Sequence, residues 1–280
     1  MESKKNGINV QETLLIPLFG RKVCSESYPD LFKDEWAEKV CNELDYDFSE
    51  LEKKSKSFAM QFGALEVAAR QTDLALEVED YLKDHPNAAV VNLGCGLDTT
   101  FWRVDNGRCK GYNLDLPDVI AIRDELLPPK EREQNIACDL NDFSWFDQIG
   151  FDPADGAVFY VAGVFYYFAM DDMKKLLSAM EKRFPGAVIA FDTCNKIGAK
   201  GMTATYLKDA GLEEVPVLFS VSDAKKELAP WFGKGTSITS KGYMTGYMTY
   251  PKTVNPVFRF LAKVGDNVVK MQIVRIAFQS

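Results

Sequence analysis

Short apolar runs and helically spaced apolar residues follow one another along most of the chain. Apolar residues at helical spacing predict helices over 12–22, 30–47, 58–83, 118–132, from Asp171 to Phe184, and over 257–264. Short apolar runs bounded by glycine, proline or acidic residues predict strands at 88–93, 111–116, 135–138, 157–161, 187–191 and 268–278, with a further one at 217–221. This alternation is typical of an α/β fold with a mostly parallel sheet.

The first predicted strand runs into a glycine turn, and the second ends in a carboxylate. The sequence AAVVNLGCGLDTT contains Gly94, Cys95 and Gly96, and Asp115 follows Gly94 by 21 residues. Glycine lets the backbone take unusual angles and lets a ligand approach closely. In a strand–turn–helix–strand unit this spacing sets a carboxylate beside the turn, where it can bind both hydroxyls of a ribose. The pattern predicts an adenosine-containing cofactor at the carboxyl ends of parallel strands.

The residues after the turn distinguish between cofactors. A dinucleotide fingerprint requires a small residue at position 99 and a helix N-terminus that is free for pyrophosphate, but this chain has Asp98 and Thr99. A negative charge there suits the cationic end of S-adenosylmethionine better. The motif favours a methyltransferase over a dinucleotide-dependent enzyme, and a glycine turn without a ligand remains the third interpretation.

Several motifs in the same order resemble one family. NLGCGLDTTFWRV, GYNLDLPDVI and IACDLND, with ETLLIPLFGRK and FYVAGVFYYF, are similar to the leucine carboxyl methyltransferase family. The closest resemblance is to its branch of small-molecule O-methyltransferases like the tetracenomycin polyketide-synthesis enzyme. It covers roughly residues 10 to 195. It implies a class I S-adenosylmethionine-dependent methyltransferase fold, which is Rossmann-like with seven mostly parallel strands.

The resemblance also implies a domain organisation. We expect one methyltransferase domain over 1–280, with an N-terminal helical cap at 1–86 and a cofactor-binding core at 87–194. A lid or substrate region at 195–254 and a final helix and strand at 255–280 complete it.

Site roles follow from the resemblance, each beside a structural alternative. Arg70 would hold the carboxylate of the cofactor's methionine part, or else pair with Glu66 or Asp73 one helical turn away. Asp139 would bind the adenine amine with Leu140 against the ring, or else only form a turn. Tyr167 would orient the substrate, or else pack as a core aromatic. The predicted cofactor site comprises Arg70, Gly94, Cys95, Gly96, Asp98, Asp115, Leu116, Asp139, Leu140 and Ala162.

One position departs from the family. The usual pattern has Glu where this chain has Ala162. Loss of that carboxylate removes about 1–3 kcal/mol of charge-assisted hydrogen bonding to the cofactor. This departure leaves a second hypothesis, a protein that binds S-adenosylmethionine without turnover.

Composition narrows the partners and the location. A net charge of −8 argues against nucleic acid, whose binders usually carry a basic face. Six scattered cysteines without a CxxC pair, together with a single histidine, argue against zinc. No signal-like segment or long apolar run is present, so we expect a cytoplasmic protein without a membrane partner. We expect a monomer or a homodimer that acts on a small molecule.

The acceptor is inferred from the absence of a suitable base. A hydroxyl nucleophile normally requires a general base, and the only histidine, His85, precedes the first strand, at the end opposite to the glycine turn. A carboxylate acceptor is already ionised at neutral pH. The missing base therefore favours O-methylation at a carboxyl or acidic hydroxyl, and the resemblance implies a small organic acid or polyketide-like acceptor. The alternatives are cofactor binding without turnover and a nucleotide-dependent oxidoreductase.

Overall fold

The structure is a computed structural model that describes residues 4–44, 46–202 and 216–280, with side chains described from Leu14 onward. The strands are β1 Ala89–Leu93, β2 Lys110–Asp115, β3 Glu133–Ala137, β4 Ala157–Val161, β5 Val188–Thr193, β6 Ser237–Gly242 and β7 Gln272–Ala277. The α-helices are α1 Lys4–Ser27, α2 Glu35–Glu43, α3 Ser49–Lys54, α4 Phe58–Asp84, α5 Thr100–Val104, α6 Pro117–Leu126, α7 Met170–Arg183, α8 Lys196–Met202, α9 Ala224–Leu228 and α10 Pro256–Val264. None of these helices has both the length and the apolar character needed to cross a bilayer.

The strands form one sheet in the order β3-β2-β1-β4-β5-β7-β6. Strands β1 to β5 pair in parallel, and β7 lies antiparallel between β5 and β6. The predicted α/β fold with seven mostly parallel strands is confirmed. The strand order reverses between β1 and β4, and in open α/β sheets the crevice at such a reversal is where ligands bind.

Apolar side chains on both faces explain why the central strands form. All five residues of β1 are buried. Val90 faces the core on one side of the sheet, while Val91 and Leu93 face the core on the other, because successive strand residues point in opposite directions. A strand covered on both faces is typical of parallel sheets.

The long helix α4 links the two ends of the sheet. It begins after Ser57, whose hydroxyl caps the helix by accepting a hydrogen bond from the Met60 N–H. It ends at Asp84, close to the amino end of β1, where the Ala88 N–H donates to the carbonyl of His85. Its buried face is rich in alanine, so the helix approaches the sheet closely. The pattern allowed one helix or two here, and the structure has one.

Two strand predictions need correction, and one strand is additional. The predicted strand at 217–221 is absent, because Leu218 and Phe219 both donate to the carbonyl of Tyr166 rather than to a ladder. Strand β7 starts at Gln272, after a π-helical turn at Gly265–Val269, and not at residue 268. Strand β6 was not predicted, because it is an edge strand in which only Ile238 is buried. It lies within the segment that the sequence assigned to the lid.

Candidate functional site

The glycine turn after β1 is a tight structure that other residues cannot form without strain. Gly94 and Cys95 both donate their N–H groups to the carbonyl of Leu114 in β2, at 2.8 and 2.9 Å. The φ angles of Gly94 and Gly96 are +71° and +46°. A Cβ on Gly94 would overlap the side chain of Val164, and one on Gly96 would lie 2.8 Å from Leu14. Two independent constraints therefore require glycine at both ends of the turn.

Asp115 lies beside this turn, as its spacing predicted. One of its carboxylate oxygens accepts a hydrogen bond from the Gly96 N–H at 2.7 Å, and the other accepts from the Leu116 N–H at 2.8 Å. Burial raises the pKa of Asp115 above its ordinary value. The turn and the carboxylate thus form one unit at the carboxyl ends of β1 and β2, and Leu116 follows directly with an exposed side chain.

Asp98 is held by several hydrogen bonds within the protein. Its carboxylate accepts hydrogen bonds from the side chains of Gln71, Asn92 and Thr100, at 2.6, 3.0 and 2.8 Å, and from the Thr100 N–H at 3.1 Å. These contacts tie α4, β1 and the start of α5 together. A role of Asp98 towards a cationic ligand stays a prediction.

A buried arginine, which sequence reasoning missed, hydrogen bonds to backbone carbonyls of the same turn. The guanidinium of Arg123 donates to the carbonyls of Gly96 and Asp98, at 2.9 and 2.7 Å, and pairs with Glu133 at 3.6 Å. Its side chain is buried. In the sequence, Arg123 stands among charged residues of α6 and resembles a solvent-facing helix residue, so no local signal separates it from one.

Arg70 reaches across the sheet to the end of β5. Its Nη1 lies 3.1 Å from the Oδ2 of Asp192, whose Oδ1 accepts a hydrogen bond from the Gly163 N–H at 2.6 Å. The guanidinium covers Gly163 so closely that a Cβ there would lie 2.9 Å from Nη1. The sequence offered Glu66 or Asp73 as ion-pair partners, whereas the structure gives Arg70 an ion pair with Asp192, 122 residues away.

The loop after β4 carries the two remaining residues on this side of the sheet. Ala162 is partly buried and packs against the core that contains α4. Tyr167 is partly buried as well, and burial raises the pKa of its hydroxyl, so the hydroxyl stays protonated at neutral pH. Sequence reasoning did not single out Tyr243, which is buried and whose hydroxyl hydrogen bonds Glu66 at 3.2 Å.

Asp139 and Leu140 lie at the far side of the crevice, beyond β3. Cys138 donates its N–H to the carbonyl of Asp115, so the chain passes the end of β2 at this point. The exposed carboxylate of Asp139 accepts hydrogen bonds from the backbone and side-chain nitrogens of Asn141, at 2.9 and 3.0 Å. Leu140 is buried. The structure therefore gives Asp139 the turn-forming contacts of the alternative interpretation, and its role towards adenine stays a prediction.

Neither His85 nor Cys95 is suited to act as a base at this edge of the sheet. His85 stacks on Tyr81 with ring centres 4.4 Å apart, and its carbonyl accepts from Ala88 at the amino end of β1. The length of β1, roughly 16 Å at about 3.3 Å per residue, separates it from the glycine turn. Cys95 lies within the turn, and burial raises the pKa of its thiol. All six cysteines are free thiols.

Two curated proteins are similar to this chain. It is 28% identical over 185 residues to the tetracenomycin polyketide synthesis O-methyltransferase TcmP of Streptomyces glaucescens, with 65% of each chain covered. It is 29% identical over 188 residues to the S-adenosyl-L-methionine-dependent methyltransferase dpfgK of Gibberella zeae, with 62% of this chain and 61% of the relative covered. Both matches span less than two thirds of the relatives' length.

Solved structures share the fold. A candidate methyltransferase from Thermobifida fusca superposes with a TM-score of 0.60 at 14% identity, with both chains fully covered. A DUF574 family protein from Streptomyces avermitilis gives a TM-score of 0.58 at 12% identity, with 92% of this chain and 100% of that chain covered. At such low identity these likenesses show the fold alone.

The sequence model of the family described as leucine carboxyl methyltransferase matches residues 16–181, which is more than half of the chain. The family uses S-adenosylmethionine, the cofactor predicted from the sequence, and the match leaves a nucleotide-dependent oxidoreductase without support. The chain belongs to the leucine carboxyl methyltransferase family of S-adenosylmethionine-dependent methyltransferases.

Proposed function

We propose that this protein is an S-adenosylmethionine-dependent O-methyltransferase that acts on a small organic acid or polyketide-like acceptor. The observation that carries the proposal is the convergence of the glycine turn, Asp115 and Arg70 at the carboxyl ends of β1, β2 and β5. Family membership supports the reaction class, and the name of the Streptomyces glaucescens relative supports the acceptor class and transfer to oxygen.

The residues of the crevice fit the chemical groups of this cofactor. Asp115 would accept hydrogen bonds from the ribose hydroxyls, and Arg70 would bind the amino-acid carboxylate. The turn leaves no room for side chains at Gly94 and Gly96, so a ligand can lie against the backbone. The further cofactor contacts that we propose are those of Cys95, Asp98, Leu116, Asp139, Leu140 and Ala162.

The proposed chemistry requires the protein mainly to position the acceptor and to exclude water. When bound, S-adenosylmethionine supplies a methyl group on a sulfonium, and an acceptor oxygen displaces the sulfur in line. Burial raises the pKa of Tyr166, Tyr167 and Tyr243, so these hydroxyls can donate hydrogen bonds but cannot remove a proton at neutral pH. An acceptor that is already ionised, such as a carboxylate, needs no base, and this supports O-methylation of an acid.

The test has two steps. Isothermal titration of the full chain with S-adenosylmethionine should show binding, and NAD(P) should neither bind nor raise the melting temperature. Incubation with a panel of aromatic and polyketide-like acids should then release S-adenosylhomocysteine. Absence of cofactor binding would exclude the proposal. Product from amines but from neither acids nor acidic phenols would exclude the acceptor class.

A second candidate function, cofactor binding without turnover, is favoured by Ala162. This position adjoins Gly163, whose N–H is held by Asp192, and it carries no carboxylate of its own. Ala162→Glu should raise the affinity for S-adenosylmethionine by about tenfold or more if the missing charge-assisted hydrogen bond is restored. Unchanged affinity would remove this account of the position. Binding without product from any acid, with turnover appearing only in the variant, would establish the second function.

We also propose the domain organisation, the oligomeric state and the location of the protein. We infer a single methyltransferase domain, with residues 1–86 as a helical cap, 87–194 as the cofactor-binding core, 195–254 as a lid or substrate region, and 255–280 as a final helix and strand. We infer a cytoplasmic monomer or homodimer that binds neither nucleic acid nor membrane. Size-exclusion chromatography with light scattering tests the oligomeric state. A fluorescent-DNA binding assay tests the absence of nucleic-acid binding.

A further inference from the structure

A cavity lies in the connection between β6 and β7, apart from the candidate cofactor crevice. It has a volume of about 470 Å³, and its lining includes Met248, Tyr250, Arg259, Phe260 and Lys263. The connection leaves β6 at Gly242, which pairs with Gln272, and Gln272 pairs in turn with Thr193 at the end of β5. The cavity therefore belongs to the chain that emerges at the same edge of the sheet as the candidate cofactor site.

Helix α10 presents one continuous face to this cavity. Pro256, Arg259, Phe260 and Lys263 follow the i, i+3, i+4, i+7 spacing that places residues on one side of a helix. The opposite side carries Phe258 and Ala262, which are buried. Phe258 packs on Phe58 and Phe62 of α4, with ring centres 4.8 and 5.9 Å apart. This packing fixes the orientation of α10 and hence the residues that line the cavity.

Within the described residues, two buried polar atoms of the cavity residues lack hydrogen-bond partners, the Nε of Arg259 and the hydroxyl of Tyr250. Neither Arg259 nor Lys263 forms a salt bridge with another described residue. Buried donors in proteins are almost always satisfied, and an unsatisfied one is costly. Two cations without a carboxylate partner among the described residues are unexpected in a chain with a net charge of −8.

The neighbouring carboxylate, Asp266, forms no salt bridge with either cation within the described residues. It accepts hydrogen bonds from the N–H groups of Met244 and Thr245 and from the Thr245 hydroxyl, at 2.9, 2.8 and 2.6 Å. The cavity combines two cations with the apolar surfaces of Met248 and Phe260.

We propose that this cavity binds an organic anion with an apolar body, such as an aromatic carboxylate. A carboxylate would accept charge-assisted hydrogen bonds from Arg259 and Lys263. The ring would lie against Met248 and Phe260. The volume of about 470 Å³ falls in the range of small-molecule sites, roughly 300–1,000 Å³. The site is separate from the proposed cofactor site and does not depend on methyl transfer.

Titration calorimetry of the full chain with 2-naphthoate tests the proposal, with neutral 2-naphthamide and inorganic phosphate as comparison probes. We expect 2-naphthoate to bind at least about tenfold more tightly than either probe, because only it offers both a charge and an apolar ring. Equal binding of the amide would overturn the role of charge, and equal binding of phosphate would overturn the role of the apolar surface.

Variants of surface residues locate the site. Arg259→Gln and Lys263→Gln should each weaken 2-naphthoate binding by about fivefold or more. Lys252→Gln is the matched control, because Lys252 is an exposed cation of the same connection that does not line the cavity. Equal affinity of all three variants would exclude this site. S-adenosylmethionine titrations of the same variants keep the two proposals apart, since cofactor binding can fail while 2-naphthoate binding persists.

Discussion

Asp73 is a buried carboxylate whose environment opposes its charge, and it leads to a quantitative prediction. The side chain is fully buried in α4. One of its oxygens accepts the Tyr247 N–H at 3.1 Å, whereas Oδ2 has no hydrogen-bond partner and lies against Gly246. Burial, with smaller contributions from Glu77 and Asp266, raises the pKa of Asp73 to about 7, against the lowering effect of the Tyr247 N–H and Lys241.

This pKa makes the stability of the fold depend on pH. The native chain keeps the Asp73 proton up to about pH 7, whereas the unfolded chain loses it near its ordinary pKa of about 3.9. The stabilisation from this proton is therefore complete below about pH 4, falls between pH 4 and 7, and is lost above pH 7. One pKa unit corresponds to about 1.4 kcal/mol, so the full effect amounts to roughly 4 kcal/mol.

Replacement by asparagine isolates the effect. Asp73→Asn keeps an oxygen for the Tyr247 N–H and removes the charge. At pH 8 it should be more stable than the natural chain by up to roughly 4 kcal/mol, and at pH 5 this difference should fall to about 1.5 kcal/mol. Urea unfolding followed by the fluorescence of the four tryptophans measures both values. Asp80→Asn is the control, because Asp80 is exposed on the same helix.

Two results would refute this reasoning. If Asp73→Asn is less stable than the natural chain at pH 8, the carboxylate makes favourable interactions that outweigh its burial. If the difference in stability does not change between pH 5 and 8, the pKa of Asp73 is not raised. A pH-dependent difference of the same size for Asp80→Asn would point to a general charge effect instead.

Three further predictions address the candidate site and the thiols. Gly94→Ala should weaken S-adenosylmethionine binding by at least about tenfold. Gly107→Ala should not, because Gly107 also has a positive φ but lies in open space. Equal effects of the two variants would contradict a close approach of the cofactor to the glycine turn. Arg70→Lys should weaken S-adenosylmethionine binding by about tenfold but leave 5′-methylthioadenosine, which lacks the carboxylate, unaffected; equal losses would assign Arg70 another role. Burial raises the pKa values of Cys138 and Cys194 to about 12, so a thiol reagent should label the folded chain slowly at pH 8, and rapid labelling would refute this.

The sequence predicted five of the strands closely. The observed β4 has the predicted bounds, and β1, β2, β3 and β5 agree within a few residues. The strands β1, β4 and β5 are buried along their whole length, and such strands are recognisable as continuous apolar runs. The edge strand β6 has one buried side chain and gives no such signal. The segment around Phe219 alternates in burial like a strand, yet its hydrogen bonds go to Tyr166. The pattern of apolar residues along the chain indicates which side chains are buried, but it does not indicate which group accepts the backbone hydrogen bonds.

Within the candidate site, local spacing was informative only where the chain itself fixes the distance. The separation of Gly94 and Asp115 along one strand–turn–helix–strand unit predicted a carboxylate beside the turn, and in the structure Asp115 accepts a hydrogen bond from the Gly96 N–H. The pairing of Arg70 with Asp192 depends on how α4 lies across the end of β5, and no local rule contains that information.

By itself, the sequence determined the fold class, the family and the neighbourhood of the glycine turn, because each depends on short-range periodicity or on motifs within one supersecondary unit. Only the tertiary structure decided which charges meet. It brought Asp192 to Arg70, buried Arg123 against the carbonyls of the turn, and placed Arg259 and Lys263 in the lining of one cavity. The physical reason is that side-chain electrostatics act through space, between residues far apart in the chain, whereas sequence patterns record only neighbours along it.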